Sequence, residues 1–199
     1  MNKGESSKEK LFLAAFKCFL NNNYDKVSLA NIEKEAGVTR GVTYYYSRNK
    51  QDLFCKVMDE FILNKLNIKN KLTLIEGVSL LDFINHQIEG IQKTMEHLFE
   101  LTGSNSNSYM FLIYQGSKYY PDFNKKYAQN SEFEIDVWKK VIENAIIQKE
   151  ILNVDIDNTA EMFRYIHLGM AYDHSFINGL DTNHLRTIFL ALYNSIKSA

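Results

Sequence analysis

Apolar positions recur three and four residues apart through most of this chain, the spacing that places side chains on one face of an α-helix. A capping box of Ser6 and Glu9, after a polar arm at Met1 to Glu5, opens the first run. Leu11, Ala14, Ala15, Cys18 and Phe19 share its apolar face, and Asn21-Asn22-Asn23 ends it. Ser28 caps a short second helix with Leu29, Ile32 and Ala36 on one side, closed by Gly37, a residue that tolerates positive φ. Thr39 caps a third, which carries Arg40, Thr43, Tyr44, Tyr45 and Tyr46. Asn49, with Asp52 beyond it, opens a fourth through Leu53, Val57, Phe61 and Leu66.

After a polar connection from Asn67 to Ser79 come longer stripes. Leu81, Ile84, Ile88, Ile91, Met95 and Leu98 form one, which stops in the loop Thr102 to Ser108. Tyr109 to Tyr114 is apolar on every side and reads as a buried helical segment. Its composition also suits a strand, but such a strand would have no partner in the sequence. Phe133, Val137, Trp138, Val141, Ile142, Ala145 and Ile146 mark another long helix, and Asp155 or Asp157 caps the next. That helix carries Ala160, Phe163, Ile166, Met170, Ala171 and Ile177 and closes at Gly179. The final helix begins near Thr182 and carries Leu185, Ile188, Phe189, Leu192 and Ile196. The expectation is an all-α fold of about nine helices, divided into residues 1–50 and a larger helical domain, 51–199.

Helix, glycine turn and helix between Ser28 and Tyr46 make a helix-turn-helix, whose second helix enters the DNA major groove. The ordered residues Ala36-Gly37-Val38-Thr39-Arg40-Gly41, Tyr44-Tyr45, Asn49-Lys50 and Asp52-Leu53-Phe54 resemble the N-terminal domain of TetR/AcrR-type transcriptional regulators. Ala14-Ala15-Phe16, Phe19, Tyr24, Val27-Ser28 and Ile32 fit the same pattern, so the resemblance covers the first quarter to third of the chain. Four positions depart from it: Tyr46 stands where His is usual, Ser47 where Phe or Val is, Thr43 where Leu or Ile is, and Asn23 where Gly is. The resemblance implies a homodimer with one helix-turn-helix per subunit and a small molecule in the larger domain that changes their spacing. Two recognition helices must sit one DNA turn, about 34 Å, apart, so a ligand favouring another spacing weakens binding by linkage.

Composition narrows the class. Hydrophobic residues make up 45% and charged residues 24% of 199 positions, ordinary values for a soluble globular protein. No apolar run is long enough to span a membrane and no signal-peptide core opens the chain, so a cytoplasmic protein without a membrane partner is expected. Cys18 and Cys55 lie in apolar helical patterns and read as buried reduced thiols, with a redox switch as the alternative. The net charge of −1 hides an asymmetry: residues 1–50 hold nine Lys/Arg against five Asp/Glu, a balance of +4. The remainder holds fourteen against nineteen, a balance of −5, which suits nucleic-acid binding through the head alone.

The candidate DNA-contacting residues are Ser28, Thr39, Arg40, Gly41, Val42, Tyr44, Tyr45 and Lys50. Arg40 opens the recognition helix, and its fork can bind guanine O6 and N7 together. Gly41 lets backbone approach DNA, Val42 can touch a thymine methyl, and Lys50 at a helix start suits a phosphate. The family resemblance further implies phosphate contacts at Tyr44 and Lys50 and a base or backbone contact at Tyr45. For a small apolar effector, the expected pocket lies between the stripes of Ile84–Leu98, Tyr109–Tyr114 and Phe133–Ile146, lined by Ile91, Met95, Met110, Tyr114, Trp138 and Ile142. The last two helices are expected to form most of a dimer interface, with a charge at Phe189 or Leu192 releasing monomers and Gly169 and Ala171 permitting close approach. No cofactor, catalytic constellation or metal set is expected. The alternatives are a DNA-binding module without an effector and a helical metal-dependent enzyme using His167 and His174, with Asp173 nearby.

Overall fold

The computed structural model describes residues 3–64, 77–103 and 106–198. These form nine α-helices: α1 (Lys3–Asn21), α2 (Leu29–Ala36), α3 (Arg40–Tyr46), α4 (Lys50–Met58), α5 (Leu80–Thr102), α6 (Ser106–Tyr119), α7 (Phe123–Ile147), α8 (Ile156–Ser175) and α9 (Thr182–Ile196). A 3₁₀ turn, Tyr24–Lys26, precedes α2, and α4 runs on into a π-helical turn, Asp59–Leu63. Among the described residues the only β pairing is an isolated antiparallel bridge between Ile151 and Lys197. None of the described helices is long and apolar enough to cross a membrane. Leu66 and most of the Asn67–Ser79 connection lie outside the described residues.

Helix ends moved where local signals competed. The first helix starts at Lys3, ahead of the expected capping box at Ser6. The polar stretch after Leu98 is mostly absorbed into helix, with α5 running to Thr102 and α6 beginning at Ser106. Gly103, at φ 65°, supplies the left-handed residue that ends α5. Asp155 rather than Asp157 caps α8, its carboxylate accepting the Asn158 N–H at 2.9 Å.

The chain forms two compact units, one drawn from Met1–Asn67 and Ser108–Tyr127, the other from Ile68–Asn107 and Ala128–Ala199. These packing units differ from a cut at residue 50, because α4 buries Leu53, Phe54, Val57 and Met58 in the first unit. In that unit Phe19 meets Phe54 edge-on at 4.9 Å, and Phe16 stacks on Phe61 at 4.4 Å. Helix α6 joins the same unit through Leu112, Gln115 and Gly116. A Cβ at Gly116 would lie 2.7 Å from the Met58 methyl and 2.7 Å from a Phe123 ring carbon, so glycine permits that approach. The Tyr109–Tyr114 segment is not buried all round: Phe111 is 41% and Tyr114 68% exposed. A helix lying on its neighbours by one stripe buries only that stripe, and Leu112 occupies it here.

The second unit centres on Trp138. Its ring stacks on Phe163 at 4.6 Å and meets Phe83 and Phe189 edge-on at 4.7 and 5.9 Å. Glu150, in the turn after α7, caps α5: its carboxylate accepts the Leu80 and Leu81 N–H groups at 2.8 and 3.1 Å. Arg164 is buried but paired, donating to Glu134 at 3.2 Å and to the Ser131 hydroxyl at 2.6 Å. Phe189, expected at a dimer face, is 1% exposed and belongs to the subunit's own core; Leu192 is partly buried against the same core.

Candidate nucleic-acid interface

Short-range chemistry builds the reading head. The Ser28 hydroxyl accepts the Asn31 N–H at 3.2 Å and starts α2. Gly37, at φ 62°, ends it, its N–H and that of Val38 closing on the carbonyls of Lys34 and Glu33 at 3.3 and 3.1 Å. Thr39 takes the cap position of α3 in extended backbone, but its hydroxyl makes no capping bond. Its carbonyl starts the helix instead, accepting the Val42 and Thr43 N–H groups at 3.0 and 3.3 Å.

The recognition helix α3 divides into two faces. Thr43 and Ser47 are buried, and Ser47 donates to the Thr43 carbonyl at 3.1 Å. Thr39, Arg40, Gly41, Tyr44 and Tyr45 are exposed, Tyr45 by 81%, and Val42 is half-buried between the faces. Arg40 donates to the Tyr44 hydroxyl at 3.4 Å, and its guanidinium lies 5.4 Å from the Tyr44 ring centroid. The face thus offers a guanidinium and two phenols beside an unobstructed glycine.

Behind it, Asn49 caps α4 by accepting the Asp52 N–H at 2.8 Å, while Asp52 accepts the Arg48 N–H at 2.8 Å. Lys56 donates to Asp52 at 2.8 Å and to the Tyr46 carbonyl at 2.7 Å, tying the end of α3 to α4. That ammonium holds the Asp52 carboxyl below the usual carboxylate range. Lys50 is more engaged than a phosphate-seeking side chain at a helix start: its ammonium donates to the carbonyls of Tyr24 and Val27, each at 3.0 Å, and sits 4.2 Å from the Tyr24 ring.

Residues 11–57 match the family described as "Bacterial regulatory proteins, tetR family". Over those residues the chain carries the DNA-binding region of that family. Solved structures share the fold over nearly the whole length. A TetR transcription regulator from Haloarcula marismortui aligns with a TM-score of 0.76 at 15% identity, covering 98% of this chain and 100% of that one. A TetR-family regulator from Agrobacterium tumefaciens gives 0.71 at 14% identity over 98% and 100%. A transcriptional regulator from Saccharomonospora viridis, in complex with choline, gives 0.70 at 14% identity over 98% and 100%.

Within this matched region Thr43 is a local anomaly. Its hydroxyl is fully buried and has no hydrogen-bond partner. Thr43→Val keeps the shape and removes the orphan hydroxyl, so thermal unfolding should show about 1 kcal/mol of added stability. A loss of stability would mean the hydroxyl is paired in solution.

The expected effector-lining residues fall in both units. Trp138 and Ile142 are buried in the core of the second unit, with Ile91 and Met95 packed against it. Met110 and Tyr114 belong to the first unit. Burial pushes the phenol of neighbouring Tyr109 up to about 12, with Tyr127 adding to the shift. An open concavity of about 510 Å³ lies on the outer side of α8, lined by Asn158, Glu161, Met162, Tyr165 and Ile166.

Among the described residues no three His, Cys, Asp or Glu side chains gather as a metal set. Burial, and then the nearby Arg164 guanidinium, push His167 down to about 4, leaving a neutral ring at pH 7. The Nδ1 of His174 accepts the Asp181 N–H at 3.2 Å. Cys18 and Cys55 are half-buried where burial was expected, and that partial burial raises both thiols above their ordinary value.

Sequence reasoning missed Gln115 and Tyr119 of α6, which bond to the turn before α2 from more than ninety positions away. No local pattern announces such a contact.

Proposed function

We propose that this chain is a ligand-responsive transcriptional repressor that binds a near-palindromic operator as a homodimer in the cytoplasm, without cofactor and without catalytic activity. The observation that carries the DNA reading is the outer face of α3, where Thr39, Arg40, Gly41, Tyr44 and Tyr45 stand exposed while Thr43 and Ser47 anchor the opposite side. Arg40 reads a base edge and Tyr45 meets a base or the backbone. Val42 lies near a thymine methyl, and Ser28, Thr39 and Tyr44 meet phosphates, while Lys50 holds the turn before α2. Residues 1–50 carry this role and residues 51–199 carry effector binding and dimerisation. The second copy docks on the outer face of α8, where Met162, Tyr165, Tyr172 and Phe176 are 52%, 54%, 60% and 72% exposed.

The test is selection of bound duplexes from random DNA by the full-length protein, which should recover an enriched inverted repeat. Arg40→Ala should then cost about 1–3 kcal/mol and relax preference at one base position in each half-site. Recovery of no enriched sequence would end this reading.

A second reading, a DNA-binding module without an effector, is favoured by one observation. Trp138 and Ile142 are 3% and 0% exposed, and Trp138 packs against three aromatic rings. Fluorescence of Trp138, the only tryptophan, under titration with small apolar compounds separates the two readings.

A further inference from the structure

Gln115 is 2% exposed, an unusual place for an amide side chain unless its polar atoms are satisfied. They are satisfied by backbone. Its Nε2 donates to the Phe19 carbonyl at 3.1 Å and the Asn22 carbonyl at 3.3 Å, and its Oε1 accepts the Tyr24 N–H. Phe19 and Asn22 lie at the end of α1, where carbonyls have no intrahelical donor, and Tyr24 opens the turn that leads to α2. Helix α6 thus adds to the C-terminal cap of α1, beside the Asn22 amide, which donates to the Cys18 carbonyl at 3.0 Å.

One helical turn further along, Tyr119 repeats the attachment. Its ring stacks on Tyr24 at 4.2 Å, its hydroxyl donates to the Asp25 carboxylate at 2.6 Å, and its carbonyl accepts the Gln51 amide at 3.1 Å. Lys50 holds the carbonyls of Tyr24 and Val27. The turn from Tyr24 to Val27 is therefore gripped by α6 and by α4, and it delivers the chain to Ser28, where α2 begins.

We infer that Gln115 is a positioning residue for DNA binding: through the Phe19–Tyr24 backbone it sets the attitude of α2 and α3, touching no DNA itself. This rests on the DNA-binding reading above. Its carboxamide matches two acceptors and one donor together, which neither an apolar side chain nor a carboxylate does.

The test uses the full-length protein and the duplex recovered by selection. Gln115→Met keeps length and volume but removes the polar atoms. Titration should show about tenfold weaker binding than the wild type in a protein that thermal unfolding shows to be folded. Hydrogen exchange should quicken at residues 22–28. Wild-type affinity in folded Gln115→Met would overturn the inference. Should that variant not fold, Tyr119→Phe, which keeps the stack and loses the bond to Asp25, should bind about threefold more weakly, and wild-type affinity there would overturn it equally. Gln115→Glu gives a readout that simple packing would not move. Only its protonated carboxyl can both donate and accept, so its affinity relative to the wild type should recover between about pH 8 and about pH 6. A flat ratio would overturn the clamp. If the wild type itself selects no duplex, it is the DNA-binding reading that fails, and the inference falls with it.

Discussion

Phe189→Asp should unfold the second unit instead of releasing folded monomers. The Phe189 ring is 1% exposed and sits edge-on to Trp138 and Phe163 at 5.9 and 5.3 Å. Removing a buried phenylalanine costs about 3–5 kcal/mol through lost transfer energy and the cavity left behind. A carboxylate in that cavity would face the rings of Trp138 and Phe163, so it must either ionise at a cost of several kcal/mol or fold in its neutral form. Together these approach the whole stability of a typical domain, about 5–15 kcal/mol. The expected observation is loss of near-ultraviolet ellipticity and a red-shifted Trp138 emission at ambient temperature. A compact, cooperatively unfolding monomer would instead return Phe189 to the dimer face.

Tyr165→Glu combined with Tyr172→Glu should do what Phe189→Asp cannot. Both rings are more than half exposed on α8, at 54% and 60%, so neither substitution opens a cavity. Each should change subunit stability by no more than about 0.5 kcal/mol. Two carboxylates in each copy, brought together and stripped of water at a self-complementary interface, should separate the dimer. A dimer binds two half-sites with the second event made intramolecular, an advantage of about 10²–10⁴. DNA affinity should therefore fall by at least about a hundredfold while the helical signal and unfolding midpoint hold. Sedimentation and operator titration on one preparation check both halves. An unchanged dimer would place the interface elsewhere on the molecule.

These two predictions divide at the point where a hydrophobic stripe stops being informative. The α9 stripe of Leu185, Ile188, Phe189, Leu192 and Ile196 was legible from spacing alone, as were those of α1, α5, α7 and α8. A stripe shows that a face will be buried but not whether by its own subunit or by a copy. Burial of Phe189 against Trp138 answers that for one residue, and only in three dimensions.

The helix-turn-helix was legible to the residue because its determinants are local. Ser28, Gly37, Thr39 and Asn49 act within four positions of themselves, through caps and a left-handed turn, and each takes the cap or turn position the chain implied. The exposed face of α3 followed from the same periodicity. What the chain alone did not determine is set by contacts between distant segments. Lys50 was read as a phosphate ligand from its place at a helix start, yet its ammonium is turned toward carbonyls twenty-three and twenty-six positions earlier. The all-apolar Tyr109–Tyr114 segment was read as enclosed, yet tertiary packing covers one stripe and leaves Phe111 and Tyr114 in solvent. Gln115 carries no local signal, because a buried amide is defined by the backbone groups it meets, and those lie more than ninety positions away in the chain. Caps, turns and helical faces are short-range consequences of side-chain chemistry, so the sequence determined them. Which face meets which, and which polar group is satisfied by whom, depend on long-range closure, so only the tertiary structure decided them.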